Sequence, residues 1–89
     1  MSPEHVDLLR KSGETLKAFL ETELDLGFTF AALAKSRRER GSLESYDGSK
    51  RNAIAALDTV DRFKGRLPDD IKREIEKRRS QLEKVISVL

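Results

Sequence analysis

The chain has 89 residues, 37% of them hydrophobic and 38% charged, with five Gly, two Pro and no Cys. A chain of this size buries only about 60 to 65% of its unfolded surface, which leaves no material for a large catalytic cleft with its own lid and subdomain. The lack of cysteine excludes a disulfide-stapled scaffold and any thiolate nucleophile or metal ligand, and 18 basic against 16 acidic residues leave a net charge of +2, too small to imply a polyanion partner.

Ser2, Pro3 and Glu4 make a good helix opening: Ser accepts from an orphan amide, Pro fits the first turn, and Glu complements the positive helix end. Apolar residues then recur at Val6, Leu9, Leu16, Leu20, Leu24, Ala31 and Ala34. Phe19, Leu26, Phe30 and Leu33 stand beside this stripe, and Gly13 and Gly27 fall on it. Lys35, Arg37, Arg38 and Arg40, followed by Gly41, form an equally good stop. A single helix from Pro3 to Arg40 would be about 57 Å long at about 1.5 Å per residue, more than a compact domain of this size covers with its own mass. A break near Ser12 and Gly13, with Ser12 capping a new start, is favoured; the other outcome is one helix whose overhang a second protomer covers.

Ser42 offers a cap for the next helix, while Asp47 and Gly48 offer a turn and a later start at Ser49. Its stripe is Leu43, Tyr46, Ala53, Leu57, Val60 and Phe63, with Ile54 and Ala56 flanking, an end near Lys64 and Gly65 just beyond. Pro68 then stands as a first helical residue with Asp69 and Asp70 in the first turn. Ile71, Ile75, Leu82, Val85, Ile86 and Leu89 make a third stripe, interrupted by Arg78. No segment alternates with period two, and Ala, Leu, Glu, Lys and Arg dominate. These patterns predict an all-α antiparallel bundle of three or four helices in one domain, residues 1–89, with short loops around Gly41–Ser45 and Gly65–Leu67. Close helix approach is expected at Gly13, Gly27 and the alanine runs Ala31, Ala32, Ala34 and Ala53, Ala55, Ala56, where two Ala-rich faces meet. Leu33 and Leu57 are expected in the core, where either change to Ala costs about 2 to 5 kcal/mol.

Phe30, Leu33 and Ala34 stand at the spacing of the large, large and small positions on the first helix of a tetratricopeptide repeat. Gly41 falls at that repeat's turn glycine, and Ala53 at a late small position of its second helix. The stretch from Phe30 to Thr59 therefore resembles one tetratricopeptide hairpin. It departs at Arg37, Tyr46, Lys50 and Asp58, and it comes in a single copy, where a solenoid needs about three. The resemblance implies a tetratricopeptide-like small helical protein that acts as a scaffold for other proteins and carries no chemistry.

Charge is distributed unevenly: residues 1 to 27 hold three basic and six acidic groups, and residues 28 to 41 hold four basic and one acidic. The candidate binding group is Lys35, Arg37, Arg38 and Arg40, with Lys50 and Arg51 across the hairpin, able to meet an acidic partner or phosphates. A helix C-terminus gives the same cations a dipole reason to be there. His5 with Glu4 and Asp7 does not converge as a metal site. Glu21, Glu23 and Asp25 lack the glycine and closing Glu of a calcium loop. Asp58 and Asp61 sit near Arg62 and Lys64 as ordinary ion pairs. Gly48, Ser49 and Lys50 lack the spacing of a phosphate loop. The last helix interleaves Glu74, Glu76 and Glu83 with its cations and carries no Trp, unlike a membrane-surface helix.

The longest uncharged stretch, Leu26 to Ala34, is far short of the roughly 20 residues that cross a bilayer, and the first residues do not read as a signal peptide. The expectation is a cytoplasmic, non-enzymatic interaction domain with no catalytic residue, metal, cofactor, small-molecule ligand or membrane contact. It works by self-association or on a protein partner. A small nucleic-acid-binding protein using the basic end at Arg37 to Arg40 is the alternative.

Overall fold

The computed structural model describes residues 3–89, with side chains from Gly13 onward, so the expected cap at Ser2 and the side chains of Val6, Leu9 and Ser12 lie outside the described residues. Three α-helices pack together, α1 (Pro3–Glu39), α2 (Leu43–Phe63) and α3 (Asp69–Ser87), with a 3-10 turn at Lys64–Arg66 and no strand among the described residues.

The favoured break at Ser12 and Gly13 does not occur: α1 is one helix of 37 residues. An interior Gly costs about 1 kcal/mol against Ala. Breaking the helix would instead strand four amides and four carbonyls at the new ends, so continuing is the cheaper course. The stop at Gly41 is as expected. Gly41 takes φ 77°, its amide donates to the Arg38 carbonyl at 3.1 Å, and the Ser42 amide donates to the Arg37 carbonyl at 2.9 Å. These two bonds form a Schellman closure.

α2 starts at Leu43 and runs through Gly48, so the alternative start at Ser49 is not used. Ser42 is the N-cap residue, but its side chain makes no capping bond; its carbonyl accepts the first helical bond, from the Tyr46 amide at 2.9 Å. Gly65 does not act as a left-handed cap either. It lies inside the 3-10 turn without a positive φ, and the Leu67 amide closes that turn on the Lys64 carbonyl. Pro68 sits one position earlier than expected, as the N-cap of α3 with ψ 152°, its carbonyl accepting from the Lys72 amide at 2.8 Å.

Residue pairs give the helix directions. Gly27 lies by Ala56 and Phe19 by Phe63, so α1 and α2 run in opposite senses. Asp61 meets Arg79 and Lys64 meets Glu76, which reverses α3 on α2. Asp25 meets Arg78 and Arg38 meets Leu89, so α1 and α3 point the same way.

Leu20, Leu24, Ala31, Ala53, Val60, Ile75 and Leu82 form the core, with Leu16, Phe28, Phe30 and Leu57 partly buried against it. All three helices converge at Gly27, where a Cβ would lie 2.6 Å from Leu82 Cδ2 and 3.2 Å from Ala56 Cβ. Gly13 has no such neighbour within 4 Å. Of the two glycines only Gly27 marks a close approach, because α2 and α3 end before they reach Gly13; of the alanine runs, Ala31, Ala34, Ala53 and Ala56 are buried and Ala32 and Ala55 are exposed. The 21 and 19 residues of α2 and α3 extend about 31 and 28 Å, against about 55 Å for α1. The molecule measures 58 × 18 × 15 Å, its long axis being that of α1.

Three expected core positions face out: Leu33 at 39% exposure, Val85 at 39% and Leu43 at 70%. In their place Ala56 is buried. A small-residue edge of Ala53, Ala56 and Val60 lets α2 approach α1 closely, and that rotation carries the larger Leu43 outward.

Candidate functional site

The C-terminal end of α1 carries Lys35, Arg37 and Arg38, with Arg40 just beyond it, all exposed. The fold does not gather the six expected cations into one patch. Arg38 Nη1 donates to the main-chain oxygen of Leu89 at 2.6 Å, and the Tyr46 hydroxyl donates to the same oxygen, so Arg38 ties the end of α1 to the end of α3. Lys50 lies over the Tyr46 ring at 5.8 Å, and Arg51 pairs with Asp47 one turn back at 3.1 Å. Lys35, Arg37 and Arg40 make no ion pair with another described residue.

Asp61 is the described carboxylate with the most partners. It accepts a two-pronged bond from Arg79, at 2.8 and 2.9 Å, and lies 3.2 Å from Lys64. The Arg79 hydrogen bonds hold its carboxyl below the ordinary 3.8, against a smaller opposing effect of burial, and raise the Arg79 guanidinium in turn. Arg79 also pairs with Glu83, and Lys64 reaches Glu76 at 3.8 Å. Ion pairing of Asp61 is as expected, but its main partner comes from α3 rather than from Arg62, and no pair involves Asp58 among the described residues. This cluster stitches the 3-10 turn to α3. Arg78, which interrupts the third stripe, reaches α1 instead: it bonds Asp25 at 2.6 Å and lies 5.9 Å from the centre of the Phe28 ring.

Glu21, Glu23 and Asp25 lie along α1; Glu21 is 3.8 Å from Lys17, and Asp25 is held by Arg78. No group of three His, Cys, Asp or Glu among the described residues is placed to hold a metal ion, and the expectation at His5 falls outside those residues. Gly48, Ser49 and Lys50 are in the body of α2, where helical amides are used up by the helix. No helix among the described residues is long and apolar enough to cross a membrane.

Two apolar surfaces remain. One is an open groove of about 710 Å³ between the end of α1 and the end of α3, floored by Phe28, Ala31 and Ala32 and walled by Val85 and Val88. The other is the flank of α1 turned away from α3. Phe19, Leu26 and Leu33 are 43%, 43% and 39% exposed there, with Phe30 half-buried between them. Their seven-residue spacing drifts only about 20° per step on an α-helix, so they form one line. Sequence reasoning placed these four beside the core stripe without separating them from it; the seven-residue interval is the signal that does so.

Comparison with models of known protein families, with characterised proteins and with solved structures gives no match.

Proposed function

We propose that this chain is a non-enzymatic helical interaction domain of the cytoplasm that works by self-association. The observation that carries the reading is the line Phe19, Leu26 and Leu33, three large side chains left about two-fifths exposed along one face of the longest helix. A contiguous apolar line on a small domain is a surface to be covered, and the apolar seam of a helix is most readily covered by another helix. The charged groups that do converge, Asp61 with Arg79 and Lys64, lie at the surface and join one helix to the next, a structural use rather than a catalytic one.

The tetratricopeptide-like hairpin is part of the same proposal. In its support, Ala34 and Ala53 are fully buried where that repeat has small residues, Gly41 has the left-handed φ of a turn glycine, and α1, α2 and α3 alternate in direction as an antiparallel bundle does. Such hairpins hold other helices and do no chemistry.

Sedimentation equilibrium tests the reading. A concentration-dependent rise in mass between one and tens of micromolar is expected, and a strict monomer throughout that range would sink self-association. Phosphate binding through Lys35, Arg37 and Arg40 is less well supported, because Arg38, Lys50 and Arg51 are engaged within the fold. Anisotropy with a labelled oligonucleotide at low salt checks it, since such binding must weaken steeply as salt rises.

A further inference from the structure

The exposed line on α1 is part of a longer seam. Glu23, Phe30 and Arg37 also repeat at seven residues and interleave with Phe19, Leu26 and Leu33. The six positions, 19, 23, 26, 30, 33 and 37, alternate steps of four and three, which is the spacing of a coiled-coil seam. It lies beside the buried row Leu20, Leu24, Gly27, Ala31 and Ala34; Phe19 meets the Phe63 ring of α2 edge-on and Phe30 is partly buried against the core, while Phe19, Leu26 and Leu33 keep about two-fifths of their surface exposed.

Resting on the self-association reading, we infer that the occupant of this seam is α1 of a second copy, packed antiparallel. The charge pattern selects both partner and direction. The seam carries one acid, Glu23, toward its start and one base, Arg37, at its end, and the helix around it changes from acidic before Gly27 to basic after Ala34. A parallel second copy would set Glu23 against Glu23 and Arg37 against Arg37. An antiparallel copy sets Leu26 against Phe30, Leu33 against Glu23 and Phe19 against Arg37. Each Glu23 then lies one helical turn from the partner copy's Arg37, within reach of two long side chains. All six layers are filled in this register, and opposite charges meet at both ends. Arg37 over the partner copy's Phe19 adds a cation–π contact. The contact is isologous, the same surface on both copies, so it closes as a two-fold dimer and does not propagate.

The test is a charge swap by mixing. Glu23→Arg and Arg37→Glu are each made in the full chain and checked for helix content by circular dichroism, and self-association is measured by sedimentation equilibrium. Each variant alone carries like charges at both ends of the seam and is expected to associate about tenfold more weakly than the natural chain. An equimolar mixture of the two restores opposite charges at both ends and is expected to regain the natural affinity as a heterodimer. Leu26→Glu, at the centre, is expected to remain monomeric. If the natural chain associates but the mixture gains nothing over the single variants, or Leu26→Glu still associates, the antiparallel seam is overturned while self-association stands. If the natural chain itself stays monomeric at tens of micromolar, both are overturned.

Discussion

Glycine has three different energetic meanings in this short chain. At Gly13 and Gly48 an added Cβ meets nothing within 4 Å, and both residues lie within helices. Gly13→Ala and Gly48→Ala are therefore expected to stabilise the fold by about 1 kcal/mol each, the helix-propensity difference, as a rise in urea midpoint. Gly41 also has open space around it, but its φ of 77° is strained for a residue with a Cβ, so Gly41→Ala is expected to lose about 1 kcal/mol. At Gly27 the space is filled by Leu82 and Ala56, and Gly27→Leu is expected to cost roughly 3 kcal/mol through overpacking, read as a large drop in melting temperature. Asp61 gives the pH-dependent counterpart. Its carboxyl is held below the ordinary 3.8 by Arg79, so its stabilising contribution is present above that pH and disappears as acidification passes through the lowered value. Asp61→Asn is expected to cost about 1 kcal/mol at neutral pH and to flatten the stability profile below about pH 4, followed by urea titration at several pH values.

Between helices, the core rests on a few long side chains set against small ones. Leu82 of α3 fills the space that Gly27 and Ala56 leave open, so Leu82→Ala is expected to cost about 2 to 5 kcal/mol. Leu33→Ala is expected to cost the isolated chain less than about 1 kcal/mol, because Leu33 is 39% exposed, while weakening association. Denaturant unfolding and sedimentation on the same two variants separate these roles. The stops were the more legible features in the sequence: basic residues before Gly41 mark a helix end because the backbone there needs a left-handed residue whatever surrounds it. The starts were less legible. Asp47 with Gly48 carries a turn signature, yet α2 passes through it, because the helix is already under way from the Ser42 carbonyl and packing holds the residues on either side. Nor could the sequence tell that Arg78, placed in the middle of an apolar stripe, bonds Asp25 of another helix.

At the scale of the whole molecule, the long axis of 58 Å belongs to α1, and the shorter helices leave part of it uncovered. If a second copy covers the outer seam, the folded state is linked to concentration, and the melting temperature is expected to rise with protein concentration for the natural chain and to stay constant for Leu26→Glu. The candidate cations were legible individually and misleading as a set. Six basic residues near one hairpin read as a patch, but the fold commits Arg38 to α3, Arg51 to Asp47 and Lys50 to the Tyr46 ring.

Sequence alone determined the helical class, the three apolar stripes, the Gly41 stop and the excess of apolar surface on the first 40 residues. These depend on backbone geometry and residue period, which act over a few turns of one helix. Tertiary structure alone decided that α1 is continuous, which edge of α2 is buried, where Arg38, Arg78 and Arg79 attach, and which apolar line of α1 is left over. Those outcomes depend on the rotation and register of one helix against the next, set by where Gly27, Ala56 and Leu82 fit together, and no local pattern contains that information.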